Sequence, residues 1–226
     1  MNKTVLLAAT AVLALTAGSA MAAAHPGLVG AKPTNVHVPP HSAAVLYSQN
    51  SNFGYGIVSQ NFTSGSFGTV YNAAGADDFV VPAGAKWKVK TVDVTGVYFN
   101  GSGPANSEVI TFYKNKKGHP GKIAGAGLDS YVVNCADNFG SFSCAIPATK
   151  LAGGTTGKTY WVSVVVNMPF VTGQGEWGWA ENTVTHNQPG QWRNPGGGFG
   201  TGCNNWGNTS VCIGLGADDF AFDLQN

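Results

Sequence analysis

From about Tyr47 onward the chain alternates apolar and polar residues in short runs rich in β-branched and aromatic side chains. The clearest runs are Asp78 to Val81, Lys86 to Val89, Val92 to Phe99, Glu108 to Tyr113, Leu128 to Val133, Phe142 to Ile146, Thr159 to Asn167 and Asp219 to Leu224. Each is bounded by turn-forming punctuation such as PAG, NGSGP, GHPG or AGGTTG, which predicts strands joined by tight connections. No stretch beyond the N-terminal leader repeats apolar residues at helical spacing, so the expected fold is all-β. Two runs, EVITFY and TYWVSVVV, are apolar on both faces, as suits the middle of two packed sheets. The expected architecture is a two-sheet antiparallel β-sandwich.

Within KWKVKTVDVTGVYF, Trp87 and Val89 share one face with lysines opposite, but Val92 and Val94 fall on the lysine side. The phase changes near Lys90 and Thr91, which predicts a bulge or a corner between sheets.

The N-terminus does not belong to this pattern. One basic residue, Lys3, precedes an apolar stretch from Val5 to Leu15 and the A-x-A sequence Ala20-Met21-Ala22, the layout of a secretory signal peptide. Residues 1–24 are read as that signal peptide, the proline-rich segment 25–45 as an extended arm, and 46–226 as the sandwich domain. No later stretch approaches the roughly 20 apolar residues of a membrane span, so a secreted or periplasmic protein is expected. The chain stops without a hydrophobic tail, which favours release over tethering.

Composition narrows the function classes. Without Lys3, the 12 basic residues become 11 and equal the 11 acidic ones. Lys114, Lys116, Lys117 and Lys122 read as a solvated turn, so no nucleic-acid partner is expected. The 12 Phe, 7 Tyr and 6 Trp carry more apolar area than a disordered chain holds, although glycine numbers 32.

Four cysteines sit as Cys135/Cys144 and Cys203/Cys212 with equal spacing. Three connectivities are open. Two local disulfides are favoured because each pair brackets a turn-rich stretch, and neither pair has the close spacing of a zinc site.

The order Leu46-Tyr47-Ser48-Gln49, Ser59-Gln60-Asn61-Phe62, GADDFVVPAG, VYFNGSGP, VITFYKNKKGHPGKI and TYWVSVVV resembles a loosely defined group of jelly-roll-like β-sandwich accessory modules in secreted bacterial proteins. The resemblance covers most of the chain from residue 46 and implies no agreed enzymatic activity.

Several residues could carry chemistry. The phrase Gly-Ala-Asp-Asp-Phe occurs at Gly75 and again at Gly216. Strand parity puts Asp77 on the side of Phe79 and Val81, and Asp218 on that of Phe220 and Phe222; Asp78 and Asp219 face the other way. Carboxylates on a buried side must be compensated, so Asp77 and Asp218 either accept backbone N–H bonds at strand starts or contribute to a calcium site.

The glycine-rich stretch from Gly173 holds Trp177, Trp179, Trp192, Trp206 and the only arginine, Arg193. Trp177 and Trp179 share a face about 7 Å apart. Either Trp177, Trp179 and Trp192 form a stacking platform beside an Arg193 fork, or the indoles are core and Arg193 pairs with an aspartate.

Glu176 and Glu181 would stand about 16 Å apart on opposite faces of an extended strand, beyond the roughly 5 to 9.5 Å of glycoside hydrolysis. No G-x-S-x-G is present. If cleavage follows Ala24, His25 becomes the first residue, and with a second histidine it could hold copper, as in lytic polysaccharide monooxygenases. The remaining residues do not resemble that family.

The expected function is a non-catalytic exported binding module, with carbohydrate or a cell-surface glycan as first ligand. The alternatives are a structural or adhesive secreted protein with no small ligand, then a secreted hydrolase or copper oxygenase.

Overall fold

The computed structural model describes residues 26–34, 36, 43–63, 67–124, 129–216 and 219–226. The signal peptide, His25 and Asp218 lie outside the described residues. The first strands are β1 (Val45–Ser48), β2 (Phe53–Val58), β3 (Gln60–Phe62), β4 (Ala74–Val81), β5 (Lys86–Val94) and β6 (Gly96–Phe99). There follow β7 (Ser107–Lys116), β8 (His119–Ile123), β9 (Ser130–Val133), β10 (Ala136–Asn138), β11 (Ser141–Ala152) and β12 (Lys158–Met168). The chain ends with β13 (Glu176–Asn182), β14 (Gln191–Arg193), β15 (Gly207–Asn208), the short helix α1 (Thr209–Cys212), β16 (Asp219–Phe220) and β17 (Phe222–Gln225).

The fold is all-β, antiparallel and sandwich-like. One sheet runs β1-β17-β5-β11-β10, a second runs β15-β14-β4-β12-β7-β8, and a third runs β16-β13-β2 with β6 also on β13. β3 joins β12 in parallel, and β9 joins β7. The first two sheets meet at Phe79, whose ring lies 6.0 Å from Trp87 on β5 and 6.3 Å from Phe222 on β17.

The two runs apolar on both faces became β7 and β12, paired with each other in the interior of the second sheet. Residues 160–166 of β12 are all buried. Its one polar residue there, Ser163, is satisfied by donating its hydroxyl to the Gly75 carbonyl at 2.6 Å.

The phase change in β5 coincides with a register shift against β11, where Ala145 opposes Thr91 but Thr149 opposes Val89. The extra residues of β11 include Pro147, which has no N–H to offer a ladder. Val89, Val92 and Val94 are therefore all buried despite their mismatched parity.

The start of the arm does not stand clear of the sheets. Val29 bridges Ile57, and Gly30 N–H donates to the Gly56 carbonyl at 2.7 Å. Val58 N–H donates to the Leu28 carbonyl at 3.1 Å, so residues 28–31 extend the third sheet alongside β2. The segment is extended, as its prolines imply, but it is paired.

Both local disulfides are present, Cys135–Cys144 and Cys203–Cys212. The first closes the hairpin of β10 and β11, whose two turn residues, Phe139 and Gly140, both have positive φ, 54° and 92°. This is the backbone of a two-residue hairpin turn whose twist matches the strands. The second ties the loop after Arg193 to α1.

Candidate functional site

Trp177, Trp179 and Trp192 are fully buried, so the stacking platform expected from the sequence is not on the surface. Every residue of β13 is buried, because this strand has neighbours along both edges and both its faces are covered. The Trp177 indole N–H donates to the Gly140 carbonyl at 2.7 Å, that of Trp179 to Ala221 at 2.7 Å, and that of Trp192 to Val58 at 2.8 Å. Buried indoles need such acceptors.

The neighbouring glycines make room for these rings. A Cβ on Gly96 would lie 2.4 Å from the Trp177 indole nitrogen, and one on Gly75 would lie 3.0 Å from the Phe220 ring. These two glycines leave room for buried aromatic rings.

Arg193 behaves differently. It ends β14 half-buried, and its guanidinium carbon lies 4.2 Å from the centroid of the Trp206 ring. Tyr113 meets the same indole edge-on at 6.0 Å. The aspartate pairing expected for Arg193 is replaced by this cation–π contact. Its Nε is buried with no hydrogen-bond partner.

Arg193 borders a cleft of about 270 Å³ whose other walls are Asn61, Thr69, Asn72, Ala73, Ala74 and Pro195. No carboxylate is among these lining residues. The cleft walls are braced from behind. Asn194 donates its amide to the carbonyls of Val70 and Asn72, both at 2.9 Å, and accepts the Phe199 N–H at 3.0 Å. Trp206 lies inside the loop closed by Cys203–Cys212. Like Trp192, it belongs to none of the runs expected as strands from the sequence.

The two Gly-Ala-Asp-Asp-Phe copies meet. Asp77 accepts the Asp78 N–H at 2.7 Å on one oxygen. On the other it accepts the Gln49 amide at 2.8 Å and the Phe220 N–H of the second copy at 2.5 Å. This is the N–H-accepting role for Asp77, and it ties β4 to β16.

Asp78 and Asp219 share a side, as parity requires, but that side is not open to solvent: both are buried. The loop after β13 covers them, with Gln188 N–H donating to Asp78 at 3.2 Å and His186 N–H donating to Asp219. Burial, then the Asp219 charge, pushes Asp77 well above the usual carboxylate range. Burial likewise lifts Asp78 to about 7, against the opposing hydrogen bond from Gln188. Tyr47 is raised by burial and by the Asp77 charge. Among the described residues no group of three or more His, Cys, Asp or Glu side chains is arranged to hold a metal ion.

Glu176 and Glu181 also serve the fold. Glu176 accepts from the Gly27 N–H at 2.9 Å and the Asn100 amide at 2.8 Å, and Glu181 accepts the Tyr55 N–H at 3.2 Å. His119 Nδ1 lies 2.7 Å from the Gln191 amide oxygen.

No family model matches the sequence, and no curated protein matches it. One solved structure with partial similarity is that of the cysteine protease and lectin-like domains of Cwp84, a surface layer associated protein of Clostridium difficile. The identity is 13% and the TM-score 0.47, with 67% of this chain and 31% of that chain covered.

Proposed function

We propose that this chain is an exported, non-catalytic β-sandwich module of the jelly-roll-like accessory type that binds carbohydrate, and that the ligand is held in the Arg193 cleft. The carrying observation is the Arg193 guanidinium, held over the Trp206 ring, making no hydrogen bond or ion pair to the described residues through its terminal nitrogens, at a cleft also walled by Asn61, Thr69 and Asn72. A guanidinium is a planar fork of donors, and amides and hydroxyls both donate and accept, so this set suits the hydroxyls of a sugar. Stacking on Trp206 fixes the fork before the ligand arrives, which lowers the entropy cost of binding. Two disulfides support export, because such bonds persist in oxidising compartments.

A second reading, a structural or adhesive secreted protein with no small ligand, is favoured by the burial of Trp177, Trp179 and Trp192. Calcium at Asp77 and Asp218 is compatible with either reading. Affinity electrophoresis through a panel of neutral polysaccharides, paired with thermal melts, separates the two. Arg193→Gln should lose the wild-type retardation with its midpoint within a few degrees. If nothing in the panel retards the wild type, or if Arg193→Gln is retarded equally, the structural reading replaces this one.

A further inference from the structure

The sequence is close to balanced in charge, but folding separates the signs. Of the 11 acidic residues, eight are buried: Asp77, Asp78, Asp93, Asp219, Asp223, Glu108, Glu176 and Glu181. Every described lysine is exposed. The surface presented to a partner is therefore far more cationic than the net charge of the chain implies.

Four of the ten described lysines lie on the outer face of β5 and β11. Lys86, Lys88 and Lys90 occupy alternate positions of one strand, all exposed, so they form a row about 7 Å apart. Lys150 on β11 stands directly opposite Lys88. Like charges in directly opposed positions destabilise a sheet. No neighbouring acid offsets this, since none of the four pairs with a described carboxylate.

Beside the row runs a shallow groove of about 240 Å³ whose side-chain walls are Ala152, Lys86, Lys88 and Lys150; Trp87 and Leu151 form its floor with their backbone, their side chains turned to the opposite face, where Trp87 stacks on Phe79. A row of ammonium groups along an apolar groove combines two chemistries. One complements regularly repeated acid groups, and the other complements the C–H faces of sugar rings.

We infer that this face is a second binding surface, for an anionic polysaccharide, with the ammonium groups of Lys86, Lys88, Lys90 and Lys150 on the acid groups and the lysine methylenes and Ala152 against the rings. It extends the carbohydrate reading but uses none of the residues of the Arg193 cleft.

The test is affinity electrophoresis in polygalacturonate, in a neutral dextran, and in the presence of a short single-stranded oligonucleotide. The lysines of the face are changed together to glutamine (K86Q, K88Q, K90Q, K150Q). A control of equal charge change removes the lysines of the β7–β8 hairpin (K114Q, K116Q, K117Q, K122Q). Thermal melts confirm that both variants fold.

Wild type should be retarded by polygalacturonate, with an affinity that falls roughly 100-fold between 50 and 200 mM salt, as four neutralised charges require. The face variant should lose this retardation and the hairpin variant should keep most of it. No retardation of wild type, equal loss in both variants, or equal binding to the oligonucleotide overturns the inference. A wild type retarded by polygalacturonate but by no neutral glycan sinks the Arg193 reading and leaves this one standing.

Discussion

Trp179 and Trp206 come from the same glycine-rich stretch and end in opposite environments. Trp179 stacks on Phe220 with centroids 4.8 Å apart, is fully buried, and donates its N–H to Ala221. Trp206 is half-buried, sits in a disulfide-closed loop, and supports the guanidinium of Arg193. Aromatic content alone does not distinguish a core from a site. The difference lies in what completes each ring: other apolar rings and a backbone carbonyl in the first case, a cation with spare donors in the second.

The largest effect should come from the buried ring. Trp179→Ala opens a cavity in a packed interior, where such truncations cost about 3 to 5 kcal/mol, and the melting midpoint should drop sharply. Trp206→Ala should leave the midpoint within a few degrees while abolishing glycan retardation. Similar melting of the two variants would erase the distinction drawn between the rings.

Opening the Cys203–Cys212 loop by a double Cys→Ser change comes next. Loss of a native disulfide costs about 2 to 4 kcal/mol, and here it should also weaken glycan binding, because the loop carries Trp206. Unchanged affinity in the reduced loop would mean that Trp206 is positioned by Tyr113 and Arg193 alone.

A smaller effect is expected from pH. Burial raises Asp78 from 3.8 to about 7 and Glu108 from 4.5 to about 7. A carboxyl with a raised native value holds its proton more tightly folded than unfolded, so stability falls as pH rises from about 4 through about 7. Thermal melts across that window should show this fall, and Asp78→Asn should show less of it. A midpoint that climbs with pH would reverse the assignment.

The smallest effect tests Asp77. With N–H donors on both its oxygens, EDTA should leave the wild-type midpoint unmoved. A drop that is absent in Asp77→Ala would point to calcium at Asp77 and Asp218.

Much of the architecture is legible in the pattern of residues. The runs around Val92, Ile110 and Val164 form strands, and the shift near Lys90 is matched by the bulge across from it in β11. The two local disulfides that spacing favours are both present. What parity cannot reveal is what lies over a face. It turned Asp78 and Asp219 away from the apolar side of their own strands, but the loop carrying His186 and Gln188, distant in sequence, buries them all the same.

The same gap hid the surface charge. The alternation in KWKVK already set three lysines on one face, while the burial of eight carboxylates depends on partners such as Gln49 and Asn100 that no local pattern identifies. No local pattern identifies Gly96 and Gly75 as clearance for rings, because that function depends on contacts across the sheets.

Arg193 is the only arginine in the chain, so its Nε–H gives a single arginine resonance in a nitrogen–proton correlation spectrum. That N–H lacks a protein partner. On titration with an oligosaccharide of whichever neutral glycan retards the protein, the resonance should shift as the sugar engages the terminal nitrogens of the same guanidinium. Saturation of the protein by that oligosaccharide with the Arg193 resonance unmoved would contradict the placement of the ligand in this cleft.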